Sequence, residues 1–70
     1  MLRMYRKQAG MTQEQLGFEA GVERNYVSML ELGQRQPTVG TLFSLAKALQ
    51  VRPSILVALL EERLEASSNP

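Results

Sequence analysis

Arg, Lys and Glu supply every charged side chain in this 70-residue chain, because it contains no His, no Asp and no Cys. That set removes imidazole general bases, Ser-His triads, thiolate metal sites and most zinc, iron and copper sites. What remains is recognition by hydrogen bonding. Arg24, Asn25, Ser28 and Met29 form one candidate group. An Arg fork can pair with O6 and N7 of guanine, and Asn with N6 and N7 of adenine. A Ser hydroxyl reads more weakly, and a Met can touch a thymine methyl. On a helix the four would lie opposite Val27 and Leu30. They would equally be ordinary solvent-facing residues on a helix that touches nothing. Their meaning depends on the elements that carry them.

Those elements are helices. Gly10, Gly21, Gly33, Pro37 and Pro53 divide the chain into five pieces, none of which alternates with period two. Leu, Ala, Glu, Gln and Arg dominate the pieces and favour helix. The pattern predicts an all-α, compact five-helix domain with helices at about 2–9, 13–20, 24–32, 39–49 and 53–66, and a fraying tail at 67–70. Leu2, Tyr5 and Ala9 form one stripe in the first helix, which Gly10 ends. Thr12 and Gln15 match a capping box, Thr38 is the next N-cap candidate, and Pro53 sits in a first turn. The expected core holds Leu16, Ala20, Val27, Leu30, Leu42, Leu45, Ala46 and Leu49.

The second and third helices form a unit. Gly17 lets two crossing helices approach, Gly21 allows the sharp turn between them, and Leu16, Val27 and Leu30 face a shared core. The third helix then presents its other face outward, where it could enter a DNA major groove. A helical hairpin that binds nothing would show the same spacing.

The flanks extend the pattern. Arg6, Gly10-Met11-Thr12-Gln13, Leu16, Ala20-Gly21-Val22, Tyr26-Val27-Ser28, Leu30-Glu31, Gly33, Pro37-Thr38, Thr41-Leu42, Leu45-Ala46, Ala48-Leu49 and Val51 stand in a fixed order. The string resembles the Cro/repressor-type, or Xre-like, helix-turn-helix proteins over about residues 2–57. The stretch from Glu23 to Ser28 and the short length are similar to the controller proteins of restriction-modification systems.

The resemblance implies a transcriptional regulator of prokaryotic or phage type that binds double-stranded operator DNA as a two-fold homodimer. It implies base contacts by Arg24, Asn25, Ser28 and Met29. It implies phosphate contacts by Thr12 and Gln13 at the start of the second helix, by the Tyr26 hydroxyl, and by Gln34 and Arg35 in the following loop. It also implies a structural ion pair between Arg6 and Glu31. Three departures stand out: a late start to the first helix, Gly17 where Ala is usual, and Glu23 where a Ser, Thr or Asp cap is usual.

Residues 53–70 raise the question of a partner. Leu56 and Leu60 suffice to pack a terminal helix on its own domain. Ile55 and Leu59 form a further apolar pair, and Ile55 stands where the family commonly has a polar residue. An extra apolar stripe on a small domain marks an interface, so these two are expected at a dimer contact. Burial within one subunit is the other possibility.

Composition fits a globular protein, with 44% hydrophobic and 21% charged residues. No stretch approaches the ~20 apolar residues of a membrane span, and no signal-peptide core is visible. The reading is therefore a cytoplasmic binding protein, not an enzyme, with no cofactor and no metal. Net charge is only +1. Residues 1–52 hold seven Lys and Arg against four Glu, and residues 53–70 hold one Arg against three Glu. The acidic end is thus the one away from the reading surface. An antitoxin or adaptor that holds a protein partner is the alternative on the same fold.

Overall fold

The computed structural model describes the backbone of residues 2–68 and the side chains of residues 2–62. Five helices follow one another: α1 (Leu2–Gln8), α2 (Gln13–Ala20), α3 (Arg24–Glu31), α4 (Val39–Leu49) and α5 (Pro53–Ser68). There is no strand among the described residues. The expected bounds of α2 and α4 are matched. α1 and α3 each end one residue sooner, and α5 runs two residues further.

The same device closes the first four helices. At each C-terminus a residue with positive φ donates its N–H three residues back, and the next residue donates five residues back. This is the Schellman motif. After α1 the bonds are Gly10 to Lys7 (3.0 Å) and Met11 to Arg6 (3.1 Å). After α2 they are Gly21 to Phe18 (3.3 Å) and Val22 to Gly17 (2.8 Å). After α3 they are Gly33 to Leu30 (3.2 Å) and Gln34 to Met29 (2.9 Å). After α4 they are Gln50 to Lys47 (3.1 Å) and Val51 to Ala46 (3.0 Å). Glycine fills the left-handed position three times, and Gln50 takes it with φ 57°. The residue after it is apolar in three cases, and Met11, Val22 and Val51 all pack against the core. After α3 that residue is Gln34, which is exposed.

N-termini are capped where the sequence offers a hydroxyl. Thr12 accepts the Gln15 N–H at 3.0 Å, and the Gln15 side chain accepts the Thr12 N–H at 2.8 Å. Thr38 accepts the Thr41 N–H at 3.1 Å. Each such cap contributes ~1 kcal/mol.

The core consists of Leu16, Val27, Leu30, Leu42, Leu45, Ala46, Leu49 and Leu56. It lies where α2, α3, α4 and the first turns of α5 converge. Leu2 and Tyr5 of α1 pack on its edge, whereas Ala9 is exposed, since it falls beyond the last turn of α1. The one buried residue of α1 is Arg6.

Candidate nucleic-acid interface

The α2–α3 unit is closed very tightly. Gly17 is buried, and a Cβ there would lie 2.7 Å from the Val22 carbonyl oxygen. The turn therefore presses onto α2 more closely than an alanine would allow. That accounts for glycine in spite of its cost of ~1 kcal/mol in helix propensity. Val27 and Leu30, both essentially buried, then fix the rotation of α3 about its axis.

With that rotation set, Arg24 and Asn25 are exposed, and Ser28 and Met29 are half-buried beside them. The four lie on the side away from the core. Glu23 occupies the N-cap position of α3 and makes no side-chain cap bond. The first turn of the helix, where Arg24 and Asn25 sit, is therefore held by its backbone and by Val27 rather than by a capping side chain.

The opposite end of α3 is fixed by charge. Arg6 Nε donates to Glu31 Oε2 at 2.7 Å, and Nη2 donates to Oε1 at 3.2 Å. Nη1 donates to the Met11 carbonyl at 2.8 Å. The side chains of Arg6 and Glu31 are only 9% and 5% exposed. Gln13 completes the group, donating from Nε2 to Glu31 Oε1 at 3.1 Å. One carboxylate thus joins α1, α2 and α3. Burial desolvates Glu31 and by itself would raise its pKa. Hydrogen bonds from Arg6 and Gln13, with the charges of Arg6 and Arg3, outweigh this and hold it below the ordinary carboxylate value. The Gln13 contact is not visible in the sequence. It places an amide expected at a phosphate against Glu31, with one N–H engaged and one left over.

The loop after α3 forms a second cluster. The Arg35 guanidinium carbon lies 5.9 Å from the centroid of the Tyr26 ring. The Tyr26 hydroxyl donates to the Gln36 carbonyl at 3.4 Å. Tyr26 is half-buried against the core, and Gln34, Arg35 and Gln36 are exposed. Thr12 is exposed, with its hydroxyl oxygen occupied as the α2 cap.

Ile55 and Leu59 lie on α5, apart from these groups. Leu56 is buried, Leu60 is half-buried, and Ile55 and Leu59 are both half-buried. Leu59 packs against the domain's own core. The reason is helical geometry: three residues advance about 300°, which brings Leu59 within ~60° of Leu56. Other large apolar side chains are more exposed, notably Phe18 (83%), Val39 (74%) and Phe43 (55%). Among the described residues there is no group of three or more His, Cys, Asp or Glu that could hold a metal. Among the same residues, no helix is long and apolar enough to cross a membrane.

Two helices joined by a tight glycine turn, the second presenting a polar face of hydrogen-bonding side chains, define a helix-turn-helix protein. The chain belongs to the Xre-like Helix-turn-helix family, whose sequence pattern matches residues 2–56. It is 44% identical over 57 residues to an uncharacterized HTH-type transcriptional regulator, y4dJ, of Sinorhizobium fredii, covering 81% of this chain and 74% of that protein. It is 37% identical over 49 residues to the control protein C.BamHI of Bacillus amyloliquefaciens, covering 70% of this chain and 60% of the relative. The fold is similar to the crystal structure of the restriction-modification controller protein C.AhdI from Aeromonas hydrophila, with TM-score 0.74 and 40% identity. That match covers 76% of this chain and 80% of the other.

Proposed function

We propose that the chain is a sequence-specific, DNA-binding transcriptional regulator that acts as a homodimer on a pseudo-palindromic operator in the cytoplasm. The observation that carries this reading is the outer face of α3. Arg24 and Asn25 are exposed there, and no hydrogen bond or ion pair ties their side chains to another described residue. Likeness to a transcriptional regulator and to restriction-modification controller proteins supports the same reading.

In this reading α3 lies in the major groove. Arg24 and Asn25 read base edges, and Ser28 and Met29 add weaker contacts. Gln13 offers its remaining amide N–H to a phosphate, beside Thr12 at the start of α2. Tyr26, Gln34 and Arg35 meet the backbone on the other flank. Ile55 and the outer part of Leu59 meet their copies across a two-fold axis, which makes one patch self-complementary. A dimer can set its two reading helices about 34 Å apart, one turn of duplex.

Selection of bound sequences from random duplexes tests the reading. Enrichment of two inverted half-sites centred about 10 base pairs apart is expected. Recovery of unrelated sequences would reject it. For the dimer, Ile55→Glu is the cleaner probe, since Leu59 also packs on its own core. The variant should stay helical, sediment as a monomer and bind its selected DNA far more weakly. A variant that still sediments as a dimer removes this interface. The adaptor reading rests on Phe18, which is 83% exposed on α2. Duplex affinity that does not change with salt would favour it.

A further inference from the structure

The loop after α3 departs from the other helix ends in one respect. Met11, Val22 and Val51 anchor the chain to the core just beyond α1, α2 and α4. The equivalent residue after α3 is the exposed Gln34, followed by exposed Arg35 and Gln36. No apolar side chain pins this segment until the half-buried Pro37. The backbone N–H groups of Gln34 and Arg35 donate to the Met29 carbonyl at 2.9 and 3.4 Å, and the side chain that reaches the segment is that of Tyr26. Its ring lies 5.9 Å from the Arg35 guanidinium carbon, inside the ~6 Å range of a cation–π contact. Its hydroxyl donates to the carbonyl of the next residue, Gln36, at 3.4 Å. One α3 side chain therefore holds two consecutive loop residues.

We propose that Tyr26 is a positioning residue for DNA binding, which fixes Arg35 in register with the reading face of α3. The proposal rests on the DNA-binding reading above and goes further in assigning how the loop cation is aimed. Tyr26 and Arg24 differ by two positions, so their side chains diverge by ~160° around α3. They flank the outer face on opposite sides. A guanidinium held over the Tyr26 ring lies on the flank away from Arg24. A free loop would instead lose side-chain entropy each time Arg35 was placed on a phosphate, at an arginine with many rotamers. The contact with Tyr26 preorganises the guanidinium, whose N–H donors make no hydrogen bond to another described residue.

The test measures the affinity of the full chain for its selected duplex across a range of NaCl concentrations. Each phosphate contact contributes about 0.9 to the slope of log affinity against log salt. Arg35→Gln should reduce the magnitude of the slope by about that amount. Tyr26→Leu should reduce it similarly although Arg35 is still present, and the double variant should lose no more than either single one. Tyr26→Phe keeps the ring beside Arg35 but loses the hydroxyl and its bond to Gln36, so its affinity should fall while its salt slope stays that of the wild type, because a neutral hydroxyl neutralises no phosphate. Additive losses in the double variant, or an unchanged slope in Tyr26→Leu, overturn the proposal.

A second measurement does not depend on how the variants fold. In the free wild-type protein, the Arg35 side-chain protons should resonate upfield of their position in the urea-unfolded chain, owing to the Tyr26 ring current. Absence of that shift also overturns the proposal. A wild-type chain that binds no duplex, with the shift present, instead rejects the DNA-binding reading, and the positioning role with it, while leaving the stacked loop in place.

Discussion

Truncation of Glu31 tests how α3 is seated. Its carboxylate accepts two bonds from Arg6, at 2.7 and 3.2 Å, and one from Gln13 at 3.1 Å. Glu31→Ala removes all three and leaves the Arg6 side chain, 9% exposed, with only the Met11 carbonyl. A buried charge deprived of its partner costs ~3–5 kcal/mol. A domain of this size has roughly 3.5–10 kcal/mol in all, at ~0.05–0.15 per residue. One truncation should therefore remove between a third and all of the stability. Urea unfolding followed by circular dichroism measures it, and Arg6→Ala should behave alike. Replacing both residues by Leu removes both charges at once and should cost about 1 kcal/mol or less. The effects of the two truncations should be strongly non-additive, since each removes the same pair. A loss under ~1 kcal/mol for Glu31→Ala, or simple additivity in the double variant, would refute the buried-pair argument. The pH dependence has a definite sign. The folded pKa of Glu31 is lowered, so its contribution is present above the ordinary carboxylate value and is lost as pH falls through the folded pKa. Glu31→Gln should remove that part of the acid limb.

Three further outcomes are expected. Arg24→Ala should cost ~1–3 kcal/mol on selected DNA and relax preference at one base pair, whereas Gln13→Ala should weaken selected and random duplexes alike; titrations on both DNAs separate the two. Gln50→Gly should raise stability by about 0.5–1 kcal/mol, because the left-handed position costs a side chain ~1–2 and glycine returns part of this as unfolded-state entropy; a lower urea midpoint would count against it. Glu23→Ser should add an N-cap worth ~0.5–1 kcal/mol to α3 and, by removing an anion near phosphates, strengthen duplex binding most at low salt; unchanged affinity at every salt concentration would contradict the placement of Glu23 near DNA.

Local signals carried most of the fold into the sequence. Thr12 with Gln15, and glycines at positions 10, 21 and 33, fix helix ends through bonds spanning three to five residues. The left-handed Gln50 escaped because the signal for that position is usually glycine. Ala9 was expected in the α1 stripe and lies in solvent, since periodicity says nothing of where a helix stops. Long-range pairing was far less legible. Nothing local links Arg6 to Glu31, 25 positions apart, and only the family resemblance suggested that pair. The contacts of Gln13 with Glu31 and of Tyr26 with Gln36 had no signal, because each depends on how two elements cross. On α5, spacing by four pairs Leu59 with Ile55, and spacing by three also brings it towards Leu56 and the core.

These restraints are distributed unevenly along α3. Its C-terminal residue, Glu31, is bonded to α1 and α2, and the loop beyond it is held through Tyr26. Its N-terminal turn, with Arg24 and Asn25, has no side-chain cap. The end that carries Arg24 and Asn25 is held by its backbone bonds and by Val27, without a capping side chain. The end that sets its angle to the rest of the domain cannot move without breaking a desolvated ion pair. A buried pair that adds little net stability has a structural reason to be present in such a helix, because its geometric specificity is what it supplies. In the DNA-binding reading, a chain of net charge +1 has weak long-range attraction for phosphates, and more then depends on where each donor is aimed.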